Sequence, residues 1–348
     1  MMRRPQGFRY VFRVAHTMTS SIDKLYEEAD RLYYDNKLDK AAVLYKKILE
    51  EDPEHQAALH SLGIIHYDED DYGPAVEYML KALAQDPEDI YVHSNLGKSL
   101  YGMVHMGQKK TAKRIARQWA EDYPDNRIAL HMAAAVTGDE VPDRANDDYV
   151  AQTFDEFADT FDSKLEELSY KAPELLGEAL TRHVNASDLR ILDAGCGTGL
   201  CGPYLRPLAR KLEGIDLSEE MLALAKKRKL YDRLDKAELT EALQTRSKRY
   251  DVAVAADVLC YFGDLSAIFG AMASSLRPGG LFAFTLETHG KAKDYDLGIS
   301  GRYTHSAKYV HKSLAGAGFD LIEGEQGQLR TEYAVPVTGL VIVARKGD

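Results

Sequence analysis

The sequence predicts two folded units of different class: an all-α array of helical repeats, then an α/β unit on a mostly parallel sheet. Three observations carry this. The first part of the chain matches itself at an offset of 34 residues. From Ser187 onward, short β-rich runs alternate with helical stretches. Between them lies Thr137–Asn146 (TGDEVPDRAN), with Gly, Pro and acids but no periodicity. A length of 348 residues also favours two hydrophobic cores over one.

The repeats come first. Leu25 falls on Leu59, Ala29 on Gly63, Leu32 on His66, Ala41 on Ala75, Tyr45 on Met79 and Pro53 on Pro87. The small residues let two helices cross closely, and the proline ends the second helix. This pattern resembles the tetratricopeptide repeat, a helix–turn–helix unit. A third copy starts near Ile90, where Leu96-Gly97 repeats Leu62-Gly63. Its Ala112, Trp119 and Pro124 arrive three residues late, which predicts a longer turn around Gly102–Gln108. Arg127–Val136 (RIALHMAAAV) is expected as the amphipathic helix that closes the array. The array is therefore placed at residues 21–137, as about three repeats and a capping helix. It would offer a groove to a protein or peptide partner, or act as a rigid spacer or dimerisation surface. The groove residues do not choose between these.

Residues 1–20 read as a disordered leader. The first seventeen carry Arg3, Arg4, Arg9 and Arg13 and no acid. They have neither the apolar core of a secretory signal nor the Ser-rich amphipathic stretch of a transit peptide. The alternative is a true start at Met18. Residues 138–146 are expected as a linker, and 147–348 as the second domain.

Bulk composition excludes several functions. Charged residues at 28% and hydrophobic ones at 45% place the chain among ordinary globular proteins. A net charge of −11 argues against a nucleic-acid partner, because a phosphate-backbone binder shows a basic face. No apolar run approaches the ~20 residues that cross a bilayer, so no membrane partner is expected. Cys196, Cys201 and Cys260 form no CxxC pair. They are expected as buried packing residues in a reducing cytoplasm, without disulfide or metal.

The second half carries the chemistry. A strand, Leu189–Asp193 (LRILD), runs directly into AGCGTG. Gly195, Gly197 and Gly199 let the backbone turn sharply and approach a ligand that a Cβ would exclude. A second strand, Leu212–Asp216 (LEGID), ends in an acid placed to accept both hydroxyls of a ribose. Gly197-Thr198-Gly199-Leu200-Cys201-Gly202 also satisfies the dinucleotide fingerprint GxGxxG. Asp193, just before the first glycine, suits an ammonium better than a pyrophosphate.

The run ILDAGCGTG, with DLSEEML after it, resembles motif I and its successor in class I S-adenosylmethionine-dependent methyltransferases. The resemblance implies an α/β Rossmann-like domain with a mixed sheet, its last strand antiparallel. It implies S-adenosylmethionine as cofactor. The methionine part would lie on Asp193, Gly195, Cys196, Gly197 and Gly199, and the ribose on Asp216 beside Leu217. Glu238 and Leu239 occupy the place of the family's Asp-Leu pair at the adenine, with Glu for Asp as a departure. Arg249–Ala255 reads as the fourth strand, with Asp257 and Tyr261 beyond it facing the methyl-transfer site. Leu276–Gly280 (LRPGG) matches the turn before the fifth strand, Leu281–Leu286. Gly318–Arg345 reads as the last two strands. The layout further resembles bacterial predicted methyltransferases with N-terminal tetratricopeptide repeats, through FDEFADTFDSKLEELSYKAPELL and SGRYTHSAKYVHKSLAGAGF.

Candidates for the acceptor site follow. Phe154, Phe157 and Phe161 share one face of a helix over Tyr149–Phe161, as a lid or as core packing. His289, Tyr303 and His305 lie after the fifth strand, where His or Tyr can take a proton. Arg302 can clamp a carboxylate, and Arg330 is a second candidate for an anionic acceptor. The expected function is methyl transfer to a small-molecule acceptor. The alternatives are a protein acceptor recruited by the repeats, and a non-catalytic assembly factor that binds the cofactor.

Overall fold

The computed structural model describes residues 21–291, 293–332 and 335–348. Residues 1–20, read above as a leader, lie outside the described residues. The chain divides into two compact units, Met1–Asp139 and Glu140–Asp348.

Helices α1 (Ser21–Tyr34), α2 (Leu38–Glu51), α3 (Gln56–Asp68), α4 (Tyr72–Gln85), α5 (Ile90–His105), α6 (Lys109–Asp122) and α7 (Arg127–Thr137) make up the first unit. Pro53, Pro87 and Pro124 lie just past α2, α4 and α6, where a helix cannot continue through them. The next helix starts on a side-chain cap each time. His55 Nδ1 accepts from Ala58 N at 3.2 Å, Asp89 Oδ1 from Tyr91 N at 2.9 Å, and Asn126 Oδ1 from Ala129 N at 2.9 Å. The small positions sit where helices touch. A Cβ on Gly63 would lie 2.9 Å from Met79 Cγ, and one on Gly97 3.0 Å from Met132 Cγ. The repeat recurs in side-chain bonds joining residues 35 apart: Tyr26 with Ser61, Tyr33 with Asp68, and His60 with Asn95.

The longer turn expected in the third copy is not there. Turns 35–37, 69–71 and 106–108 are equal in length, and the extra residues lengthen α5, which has 16 residues against 13 in α3. Gly102 is a packing position inside that helix. A Cβ on it would sit 2.4 Å from Tyr72 Cε1.

The second unit opens with α8 (Asp147–Phe157), α9 (Phe161–Glu167) and α10 (Ala172–His183). Alternation follows through β1 (Leu189–Ala194), α11 (Gly202–Leu205), β2 (Ala209–Asp216), α12 (Glu219–Lys227), β3 (Arg233–Lys236), α13 (Leu239–Gln244), β4 (Tyr250–Ala255), α14 (Ser266–Ser275) and β5 (Leu276–Glu287). The chain closes with β6 (Tyr295–Leu297), β7 (Tyr303–His305), α15 (Ala307–Gly316), β8 (Phe319–Glu332) and β9 (Val335–Lys346). The main sheet has seven strands in the order β3-β2-β1-β4-β5-β9-β8, and β6 pairs with β7 apart from it. Only β9 opposes its neighbours, pairing antiparallel with both β5 and β8. The expected Rossmann-like architecture with an antiparallel last strand is thus the one observed.

Period-two alternation divides the core between the two sheet faces. Ile191, Val252, Val254, Leu281, Ala283 and Val343 pack with Leu176 and Leu180 of α10. Leu192, Ala253, Ala255, Phe282, Phe284 and Ile342 pack with Phe269 and Met272 of α14. Phe282 and Phe284 are fully buried, each stabilising the fold by about 1.5–3 kcal/mol.

The segment read as a linker is part of the second unit over much of its length. Ala145 N donates to Tyr261 O at 2.8 Å, and Gly263 N and Asp264 N both donate to Asp143 O at 2.8 Å. Tyr303 Oη donates to Pro142 O at 2.7 Å. Its polar, aperiodic composition is that of a strap over a surface, not of a free tether. Among the described residues, no helix is long and apolar enough to cross a membrane. All three cysteines are free and buried.

Candidate functional site

Parallel strands deliver their C-terminal ends to one edge, where a crevice opens between the first strands to part. Here β1 and β4 are neighbours, and β2 lies on the other side of β1. The loop after β1 is pinned at its start by Gly195 N and Cys196 N, which donate to Ile215 O at 2.8 and 2.9 Å. Gly195, Gly197 and Gly199 all have positive φ, at +70°, +51° and +88°, which L side chains rarely adopt. The three differ in surroundings. A Cβ on Gly195 would strike Val258 at 2.3 Å, and one on Gly199 would meet Tyr231 at 2.9 Å. Over Gly197 the nearest atom is Phe161 Cε1 at 4.0 Å. Only there would a Cβ meet nothing closer than ordinary van der Waals contact.

Asp216, closing β2, holds that loop from the side. Its Oδ2 accepts from Gly197 N at 2.8 Å and its Oδ1 from Ser218 N at 2.9 Å. Each carboxylate oxygen keeps a second lone pair for a ligand hydroxyl. Burial pushes its carboxyl up from the ordinary value, against the pull of those N–H donors. Leu217 is half-buried beside it.

Two residues expected on the cofactor are turned elsewhere. Asp193 is 1% exposed, and its Oδ2 accepts from Tyr231 Oη at 2.6 Å, so it supports the loop from beneath. Burial raises its carboxyl to about 7, with Tyr231 opposing and Asp216 adding to the rise. Cys196 is buried, its Sγ lying where a Cβ on Gly214 would be 2.8 Å away. Its N–H goes to Ile215 O and its carbonyl accepts from Gly199 N, so its polar groups are already used.

Glu238 shows what the Glu-for-Asp departure does. It caps α13, accepting from Glu241 N at 2.7 Å, and its other oxygen takes Arg144 Nη1 at 2.8 Å. Arg144 lies in the strap before α8 and also stacks over the Phe262 ring, 5.8 Å from its centroid. The longer acid reaches an arginine that an Asp would miss. Leu239, the first residue of α13, is buried.

The aromatic helix is interrupted. It breaks at a 3-10 turn over Ala158–Thr160, so Phe161 opens α9. Phe154, Phe157 and Phe161 are half-buried, neither core nor fully exposed. Phe154 packs edge-on against Phe161 and Tyr261, with centroids 5.9 and 5.6 Å apart. Polar contacts fasten these helices to the crevice: Ser218 Oγ donates to Asp155 Oδ1 at 2.5 Å, and Thr198 Oγ1 to Asp162 Oδ1 at 2.5 Å. Nothing in the sequence pattern singled out Asp155 or Asp162.

Arg302 and Arg330 do not wait for a ligand. Arg330 is 2% exposed and reaches Asp257 at 3.2 Å, Glu287 at 2.7 Å and Glu332 at 2.6 Å. Arg302 reaches Asp257 at 3.3 Å and Glu287 at 2.8 Å. The carboxylate clamp expected of them is therefore satisfied by the protein's own acids. Asp257 has φ +54°, accepts from Thr285 Oγ1 at 3.0 Å, and points into this network and not at the cofactor loop. Glu287 was missed, although it ends β5 as Asp216 ends β2. Tyr149, Tyr170 and Tyr261 feel the Arg302 charge. Burial pushes the Tyr261 hydroxyl well up, so it keeps its proton.

The three remaining candidates separate. Tyr303 is fully buried, its hydroxyl spent on Pro142 O. His305 is fully buried too, with Nε2 at 3.1 Å from Gly263 O, and burial holds its ring near 4. Pairing of β6 with β7 folds this stretch inward, which removes both from the expected solvated loop. His289 stays half-buried, and burial lowers its ring below the ordinary value. Its Nδ1 accepts from Lys291 N at 3.1 Å, so the neutral ring carries its hydrogen on Nε2.

A family model for a methyltransferase domain matches residues 164–323, and one for a tetratricopeptide repeat matches residues 32–100. The ubiquinone biosynthesis O-methyltransferase of Ralstonia nicotianae is 32% identical over 164 residues, 43% of this chain and 68% of that protein. The chain belongs to the S-adenosylmethionine-dependent methyltransferase family. The malonyl-[acyl-carrier protein] O-methyltransferase of Pectobacterium atrosepticum is 31% identical over 149 residues, 43% of this methyltransferase and 57% of its relative. The ubiquinone biosynthesis O-methyltransferase of Brucella melitensis is 34% identical over 130 residues, 36% and 50% of the two chains. This methyltransferase thus spans about half the length of the curated relatives that head the comparison. The crystal structure of the [4+2]-cyclase SpnF covers 59% of it and 98% of its own chain, at 20% identity and a TM-score of 0.49. S-adenosylmethionine is the family's cofactor. The positive-φ Gly197, the least crowded glycine of the loop and held by the strand-end carboxylate Asp216, fits it.

Proposed function

We propose that this methyltransferase moves a methyl group from S-adenosylmethionine to an oxygen of a small-molecule acceptor. The glycine turn at Gly197, bordered by Phe161 at 4.0 Å and held by Asp216, carries the reading. When bound, S-adenosylmethionine supplies an electrophilic methyl on a sulfonium centre. In this reading the Gly195–Gly199 turn receives the amino-acid part, Asp216 accepts the ribose hydroxyls with Leu217 beside it, and Leu239 with the Glu238–Arg144 pair borders the base. Asp193 acts through the loop's shape.

In-line displacement needs the reacting atoms held collinear in a dry site more than it needs covalent help. Phe154, Phe157 and Phe161 exclude water, Tyr261 donates a hydrogen bond to the acceptor, and His289 takes its proton, if it has one to lose, only once Nδ1 is released from Lys291 N. Oxygen as the methylated atom is supported by the relatives' names, each an O-methyltransferase. The repeats form an interaction or assembly module in a cytoplasmic enzyme. The full chain, incubated with methyl-labelled cofactor and a cell extract, should place label in the small-molecule fraction as base-labile or ether-linked methyl. Label confined to protein would replace this reading with a protein acceptor, and no label would leave a cofactor-binding factor.

A further inference from the structure

We propose that the opposite end of the sheet holds a second site, specific for a phosphate-type oxyanion. The starts of β1 to β5 and the end of β9 share that end, since β9 alone runs antiparallel. Although the chain carries a net charge of −11, each of these six strands places a cation there. Several are consumed by the fold. Arg249 binds Glu213 at 2.7 Å, Arg277 binds Asp251 at 2.5 Å, and Lys346 donates to Leu276 O at 2.9 Å.

What remains faces an open depression of about 370 Å³ lined by Arg190, Arg210, Lys211 and Asp232. The acid on its wall is already spent: Asp232 Oδ2 accepts from Arg206 Nη1 at 2.8 Å and from Leu212 N at 2.7 Å. The Arg190 guanidinium has no ion-pair or hydrogen-bond partner among the described residues. Arg210 has Asp188 at 3.4 Å, with both side chains more than half exposed, a contact worth little in water. Lys211 shares the single charge of Glu213 with Arg249. Three cations thus line one depression, where the Arg190 guanidinium has no acid, Arg210 only an exposed one, and Lys211 a carboxylate shared with Arg249. Guanidinium forks match the oxygens of phosphate in pairs, which selects a phosphate over a simple halide. Arg190 and Gly195 are five strand residues apart, roughly 16 Å, so an anion here leaves the cofactor crevice free.

Titration calorimetry on the full chain with inorganic phosphate, pyrophosphate and glycerol 3-phosphate tests this. At least one should bind saturably, and Arg190→Gln and Arg210→Gln should each weaken it about tenfold, with affinity for S-adenosylhomocysteine unchanged. Preference for glycerol 3-phosphate assigns the site to a phosphate ester, and preference for either inorganic probe to a free anion. Absence of saturable binding by all three, or equal binding in both variants, overturns the site. Because cofactor affinity is read in parallel, failure here is distinguishable from failure of the methyl-transfer reading.

Discussion

Asp162 accepts the Thr198 hydroxyl at 2.5 Å and pairs with Arg228, whose Nε donates to Thr198 O at 2.6 Å. One carboxylate therefore ties the start of α9 to the glycine loop. Phe161, its chain neighbour, is the atom wall over Gly197. Half-buried aromatics alone would hold these helices loosely, so the polar latch decides where the wall stands.

Asp162→Ala should loosen that wall and lower affinity for S-adenosylhomocysteine about five- to tenfold, or about 1–1.4 kcal/mol. Urea unfolding should barely change, because the latch is partly exposed. Asp162→Asn keeps an acceptor for Thr198 and should recover part of the loss. Calorimetry on both variants gives the answer; unchanged affinity in Asp162→Ala would mean the latch is inert.

Asp216→Ala should be more severe. It strands Gly197 N and Ser218 N and removes the acceptor proposed for the ribose, costing on the order of 1.5–3 kcal/mol of cofactor binding. Near-normal affinity by calorimetry would show that a different carboxylate grips the sugar.

Asp193 gives a pH signature of the loop. Burial raises its carboxyl from the ordinary value near 4 to about 7, with Tyr231 opposing. The native state therefore holds a proton that the unfolded chain has already lost across this window. Stability contributed by that proton is full below about pH 4 and is lost as pH rises through about 7. Asp193→Asn keeps an acceptor for Tyr231 but cannot ionise. Its melting temperature should gain on wild type between pH 5 and pH 8, corresponding to a few kcal/mol at most. Parallel melting curves for the two proteins across that range would refute a buried, proton-holding Asp193.

The cofactor crevice was legible because its determinants are local. Three glycines within five residues and an acid ending the next strand need no tertiary knowledge, and Asp193 and Asp216 fall at strand ends in both readings. The acceptor side was not. Arg302 and Arg330 looked available because their partners, Asp257 just past β4 and Glu287 at the end of β5, are remote in sequence and only the folded sheet brings them together. Tyr303 and His305 looked solvated because the short β6–β7 pairing has no strong sequence signal. In the repeats, Gly102 read as a turn residue, yet a glycine that lets Tyr72 approach a helix looks the same in a one-dimensional pattern. Glu287 was readable in principle, by the strand-end logic that found Asp216.

The ion network beside the crevice makes the remaining prediction, and its sign depends on who is removed. Arg330 is almost fully buried against Asp257, Glu287 and Glu332. Replacing it with Met leaves Asp257 and Glu287 with Arg302 alone and Glu332 without its arginine, and breaking a buried pair in this way costs about 3–5 kcal/mol. Burial pushes the Glu287 carboxyl up, but Arg302 and Arg330 outweigh it and hold it below the ordinary value. Its contribution is therefore present above about pH 4–5 and fades as pH falls. In Arg330→Met that depression weakens, so acidification from pH 7 to below about pH 4 should narrow the stability gap to wild type. Adding Glu287→Gln to Arg330→Met should restore stability instead of lowering it further, because the two sites act as one network. Urea titrations of wild type, both single variants and the double variant at the two pH values measure this directly. Additive losses, or a gap that widens on acidification, would show that Arg330 packs as an apolar stem and does not serve as the counter-charge of the strand-end acids.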